Sequence, residues 1–180
     1  MRTPLIWSAA AVVCAAQPIT QMQFTLSVDG KQFRSGDPIR AQWKLRNGTN
    51  RPWVIYRAKI GSRESYPQIS LTLDGPAGRI DVDLQAPSKA STFIACRLMP
   101  GETMQTDFSL SDWLNAQGAK LSPGEYKISA AFNHPASEMR PMLTGSMAGK
   151  CGASGGESVV QANEVWGGTL AAPVTSFVIR

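Results

Sequence analysis

The 180-residue sequence contains a single histidine, His134, and only three cysteines, Cys14, Cys96 and Cys151. Histidine is the usual proton carrier and metal ligand near neutral pH, so one copy excludes any site built on several imidazoles. Charged residues make up only 17% and aromatic residues 8% of the chain. No apolar run approaches the ~20 residues that cross a bilayer as a helix. No internal repeat and no interdomain linker are visible. The glycine-rich stretch Gly152–Gly156 lacks the lysine and the strand–turn–helix setting of a phosphate loop. Asp81 and Asp83 alternate on the polar side of an expected strand and read as solvated carboxylates. These scarcities argue against catalysis and against a resident cofactor.

The first residues are distinctive. Met1-Arg2 is basic, Pro4–Val13 is almost wholly apolar, and Cys14-Ala15-Ala16 ends the segment in small side chains. That order is a secretory signal, predicted over residues 1–16, with a single domain over 17–180. The alternative is a lipid anchor on Cys14, against which the bulky Val13 argues. Export places the mature chain in a periplasmic or secreted setting, with no transmembrane segment and no nucleic-acid partner. Removing Cys14 leaves Cys96 and Cys151, which in an oxidising compartment are predicted to form one disulfide.

Charge is unevenly spread. The chain carries +5 overall. Residues 31–63 hold nine basic side chains against Asp37 alone. Arg40, Lys44, Arg46, Arg57 and Lys59 are the residues proposed from this to face an anionic partner, a protein or an envelope glycan or lipid. The competing reading is a solvated strand face.

Apolar residues recur at period two through most of the mature chain, the mark of half-buried strands. Phe24, Leu26 and Val28 do so, as do Ile39, Ala41, Trp43 and Leu45. So do Ile69, Leu71 and Leu73; Ile80, Val82 and Leu84; Ile94, Cys96 and Leu98; Met104, Phe108 and Leu110; and Tyr126, Ile128, Ala130 and Phe132. Val174–Ile179 closes the series, and Trp53–Tyr56 reads as a short run buried on both faces. About nine strands are expected. Pro100-Gly101 and Pro123-Gly124 fit the centres of type II turns. One short helix is predicted, capped by Ser111, with Asp112 in its first turn and Gly118 at its end. Residues 133–165 lack periodicity and are expected to be a long loop before the last strand, with Val159-Val160 a short strand or turn near its end.

The segments "SGDPIRAQWKLRNGTNRPW", "LMPGETMQTDFSLSDWL", "LSPGEYKISAAF" and "VWGGTLAAPVTSFVI" together resemble immunoglobulin-like β-sandwich domains of exported bacterial proteins. They are more loosely similar to the intracellular proteinase inhibitor type and to deuterolysin pro-region domains. The resemblance spans about Phe24–Ile179 and implies an all-β, immunoglobulin-like antiparallel β-sandwich. Within it Tyr126 is a candidate for a tyrosine-corner hydrogen bond across the adjacent turn. It implies a fold rather than an activity.

The favoured function is a non-catalytic binding or accessory domain. A second reading comes from His134, Met139, Met142 and Met147, which cluster in sequence with Cys151. Thioether and imidazole ligands select soft ions, so these four are the candidate ligands of a periplasmic copper carrier; the alternative is methionine filling gaps in a loop. A third reading is a proteinase inhibitor. Asn47-Gly48-Thr49 reads either as a glycosylation sequon or as a tight turn.

Overall fold

The computed structural model describes residues 21–60, 63–65, 68–84, 91–152 and 156–180. The predicted signal peptide, with Cys14, lies outside the described residues. Among the described residues no helix is long and apolar enough to cross a membrane.

The protein is mostly β. Strands β1 (Met22–Val28), β3 (Arg40–Asn47) and β9 (Thr103–Ser109) form a three-stranded antiparallel sheet in the order β1-β3-β9. A second sheet runs β2 (Gln32–Phe33), β14 (Thr175–Ile179), β10 (Gly124–His134), β6 (Ile69–Gly75) and β7 (Gly78–Val82), and β13 (Gly168–Ala171) also pairs with β10. A third runs β12 (Ser158–Val159), β11 (Met147–Lys150), β8 (Ser91–Leu98), β4 (Trp53–Ile60) and β5 (Arg63–Ser65). The β11–β8 and β14–β2 pairs are parallel and the other ladders antiparallel.

The period-two pattern explains the layers. On β3, Ala41, Trp43 and Leu45 are buried while Arg40, Lys44 and Arg46 are exposed. The buried sides of β1, β3 and β9 meet those of β6, β10 and β14 in one core, which Ile55, Cys96 and Leu98 of the third sheet also enter. Tyr126 stacks on Phe177 in that core, and its hydroxyl donates to the Ser122 carbonyl at 2.9 Å. This is the corner bond expected of Tyr126. Its ring fills the space beside Gly75, where a Cβ would stand 2.2 Å from the ring. Pro100-Gly101 forms the expected turn: the Glu102 N–H donates to the Met99 carbonyl at 3.0 Å, and Gly101 has φ +79°. Ile94 departs from its predicted pattern. It is exposed although Cys96 and Leu98 on the same side of β8 are buried, because that face runs beyond the core.

The predicted short helix is α1 (Leu110–Ala116), with Asp112 in its first turn and Gly118 just past its end. Its cap is Ser109, which accepts from the Asp112 N–H. Ser111, expected in that role, instead accepts the Ile39 N–H at 2.7 Å and ties the helix to the start of β3.

The stretch expected as one long loop is corrected by the structure. Residues 133–165 contain the end of β10, a second helix α2 (Ala136–Leu143), β11, β12 and a single 3₁₀ turn over Ala162–Glu164. Two features hid α2. It contains Pro141, and only Met139 and Leu143 face inward. An eight-residue helix does not persist alone. Here Met139 and Leu143 join Val54, Tyr56, Ala148, Val160 and Val165 in a second, smaller core on the outer face of the third sheet. Each buried aliphatic side chain contributes roughly 1.5–3 kcal/mol, enough together to hold α2 in place. Val159 lies on β12 and Val160 is fully buried. The Cys96–Cys151 disulfide is formed, with Cα atoms 4.9 Å apart, and joins β8 to the residue after β11. In the chain-entropy treatment a loop of this length is worth about 4 kcal/mol.

Candidate functional site

His134 is the natural starting point, being the only imidazole. It ends β10 and is completely buried, within ring contact of Tyr56, Phe132 and Trp166. Its Nδ1 lies 2.7 Å from the Trp166 carbonyl, and its Nε2 accepts the Tyr56 N–H at 3.3 Å. A carbonyl can only accept, so Nδ1 carries the proton. Burial holds the imidazole down at about 4, against the opposing pull of the Trp166 carbonyl. The reason lies in β4. Residues 54–56 of this strand have β8 on one side only, and β5 joins the other side further along, at Ala58–Ile60. The exposed edge is closed piece by piece. Trp166 N–H donates to the Val54 carbonyl, His134 accepts the Tyr56 N–H, and Gln68 donates its side-chain amide to the Tyr56 carbonyl at 2.6 Å. His134 and Gln68 thus stand in for a missing strand, where unpaired backbone groups would each cost about 1–3 kcal/mol.

The copper-ligand candidates therefore occupy different surroundings. His134 has both nitrogens engaged, and metal ligation at either would displace one of these bonds. Met139 is buried in the second core, while Met142 and Met147 are exposed. Cys151 is held in the disulfide. Among the described residues no three His, Cys, Asp or Glu side chains gather as a metal-ligand group.

A second buried polar anchor holds the rest of the insertion. Arg97 on β8 donates to the carbonyls of Ala148, Ser158 and Val159, and pairs with Glu164 at 3.2 Å. The Arg97 hydrogen bond first, and the Gln161 N–H second, hold the Glu164 carboxyl below the usual carboxylate range. Alternation alone gave no sign of this residue.

The basic candidates divide. Arg40, Lys44 and Arg46 share the outer face of β3. Arg57 and Lys59 belong to β4, but their side chains lie outside those described. Asn47 is fully buried, with its amide donating to the Arg51 and Leu98 carbonyls and its oxygen accepting from the Thr49 N–H and hydroxyl. The sequon is a structural turn. Asp81 is exposed, hydrogen-bonded to Arg79 and Thr72, and these bonds lower its carboxyl pKa.

A groove of about 350 Å³ forms where the turn into β4 meets the insertion. Arg51 and Trp53 line it from one side; Arg140 of α2, Asn163 and Trp166 line it from the other. The Arg51 guanidinium carbon sits over Trp53, 3.7 Å from the ring centroid. Such stacking orients the cation in advance and spares part of the ordering cost its long side chain would otherwise incur on binding. Among the described residues neither Arg51 nor Arg140 has a carboxylate within ion-pair distance. Among the described residues the buried Trp53 indole N–H has no acceptor. Gly167 presses on the start of α2, where a Cβ would stand 2.2 Å from that of Ala136, so the far wall is packed in place. The basic segment and the aperiodic segment, separate in sequence, here share one surface. No protein-family model matches the chain, and no curated protein matches it.

Proposed function

We propose that the mature chain is an exported, non-catalytic binding domain of the immunoglobulin-like β-sandwich type, and that the groove between Arg51 and Arg140 is its contact surface for an anionic partner of the cell envelope. One observation carries this reading: two guanidiniums from distant parts of the sequence line one groove, and among the described residues neither has a carboxylate within ion-pair distance. Arg97 supplies the contrast, since every direction of its guanidinium is used to hold the fold. The role of His134 supports a non-catalytic reading, because its proton-carrying atoms are committed to closing β4. The disulfide suits an oxidising compartment, and the antiparallel sheets over a shared core, with the Tyr126 corner bond, suit the sandwich type.

The test presents protein, glycan and lipid fractions of the native envelope to the immobilised chain. Retention of one fraction should fall by at least about tenfold for Arg51→Ala/Arg140→Ala, the loss of about 1.4 kcal/mol or more expected from charge-assisted contacts. Arg34→Ala/Lys120→Ala, which removes cations from a different groove, should change nothing. No retained fraction, or equal retention by both variants, overturns the reading.

A further inference from the structure

Among the described residues strand β9 pairs with β3 alone, and no strand borders its other edge. The direction of its backbone groups follows from the ends of the ladder. The Asn47 N–H donates to the Glu102 carbonyl at 2.9 Å, and the Leu110 N–H to the Ile39 carbonyl at 2.9 Å. In an antiparallel ladder bonded pairs alternate with unbonded ones. The register Ala41–Phe108, Trp43–Thr106 and Leu45–Met104 therefore supplies the bonded pairs between those ends. The N–H and carbonyl groups of Thr103, Gln105 and Asp107 point the other way, and they have no backbone partner among the described residues.

Open edges of this kind are normally blunted by shortness, charged side chains, proline, a bulge or a covering element. β9 has no proline or lysine, and its one charge is Asp107. It runs seven residues, TMQTDFS, in unbroken register with β3. A groove of about 470 Å³ lies alongside it, with Cys151 and Gly152 on its far wall.

We infer that this edge of β9 accepts an extended, acidic segment of another polypeptide as an added strand. Strand addition supplies affinity through main-chain bonds and specificity through alternate side chains. The acidic character comes from β3. Lys44 and Arg46 project from its outer face opposite Gln105 and Thr103, so neither meets a carboxylate across this ladder, while Arg40, opposite Ser109, shares a shallow groove with Asp29 and Asp107. Asp107, the one acid on β9, takes the Gln42 amide at 2.7 Å. An added strand lies about 10 Å from β3, two strand spacings, which is about one Debye length in moderate salt. Long acidic side chains on its outer face reach that row. A second copy of the chain is the poorer occupant. Pairing β9 with β9 sets two rows of three cations on one continuous face. This surface is separate from the Arg51–Arg140 groove and does not depend on it.

The test screens a library of random octapeptides against the full chain. Selected peptides should carry Asp or Glu at alternate positions, weaken with added salt, and slow exchange of the Gln105 and Asp107 amides. Gln105→Pro removes one outward N–H and spares the bonds to β3, and should weaken binding about tenfold, the equivalent of one hydrogen bond. N-methylation of alternate amides in the selected peptide makes the same test without altering the protein. Arg51→Ala/Arg140→Ala should leave this binding unchanged. Failure to select any peptide overturns the inference. So does selection of peptides indifferent to both Gln105→Pro and N-methylation, or a dimer in solution that Gln105→Pro converts to monomer.

Discussion

Lowering the pH from 7 to 4 should destabilise the fold by about 3 kcal/mol through His134 alone. In the unfolded chain this imidazole titrates near 6.5, and in the native state burial holds it at about 4. Between those values the unfolded state binds a proton that the folded state does not, so stability falls as the pH falls. The difference is about 2.5 pKa units, each worth about 1.4 kcal/mol. The loss begins near pH 6.5 and levels off below about 4. Because His134 is the only histidine, this window is nearly free of competing side chains. The lowered carboxyls of Glu164 and Asp81 contribute stability whose loss starts near the ordinary carboxyl range, at the acid end of this window, and continues below it. Urea unfolding at several pH values from 7 to 4 measures the slope in the wild type. His134→Gln, which retains a donor and an acceptor but no titration, gives the reference slope. NMR of the native imidazole gives its pKa directly. A native His134 titrating near 6.5, or equal slopes in the two proteins, would refute the argument that this ring is a buried, neutral substitute for a strand.

Two further predictions concern the other buried polar anchors. Arg97→Met removes five hydrogen bonds and leaves Glu164 without its cation. It should cost about 3 kcal/mol, the scale of breaking a buried pair, and hydrogen exchange should rise first in Ser158–Glu164 while β1, β3 and β9 stay protected. Asn47→Ala strips four bonds from a fully buried amide, and should cost about 2–3 kcal/mol in thermal or chemical unfolding. For the same reason the folded wild-type chain passed through a glycosylating host should show no added mass at Asn47.

Legibility in the sequence followed the physics of each element. Strands such as Arg40–Asn47 were readable because one face meets a core and the other meets water, and period two records that contrast. The turn at Pro100-Gly101 and the corner bond of Tyr126 were readable because each depends on a few adjacent residues. Helix α2 was not. Its stability is borrowed from Val54, Val160 and Val165, which lie far from it in sequence, and Pro141 masks its local preference. The roles of His134, Gln68 and Arg97 were hidden for a related reason. Each serves a backbone edge or carbonyl that only the assembled sheets create. The groove was half visible. Both of its contributing regions stood out, one by charge and one by loss of periodicity, but nothing in either indicated that Arg51 and Arg140 would line the same surface.

The way the insertion is attached bears on why those two arginines are free. Three anchors fasten residues 133–165 to the sheets: His134 at its start, Arg97 reaching into its middle, and the Cys96–Cys151 disulfide. A segment that served only to cover β4 and β8 would need such anchors and the small apolar core beneath α2. It would gain nothing from cations left unpaired at its rim, since two like charges lining one groove repel and weaken the closed form. Surface ion pairs are easily made and worth roughly 0–1 kcal/mol, so neutralising Arg140 by a nearby acid would have carried little penalty. The sequence does supply such an acid to Arg97, which is largely buried. Among the described residues none lies within ion-pair distance of Arg51 or Arg140, which line the groove. Charge is thus cancelled where it is buried and left available where a partner can approach. That division is expected of a surface shaped for an anionic ligand, and not of one shaped only to cap a sheet.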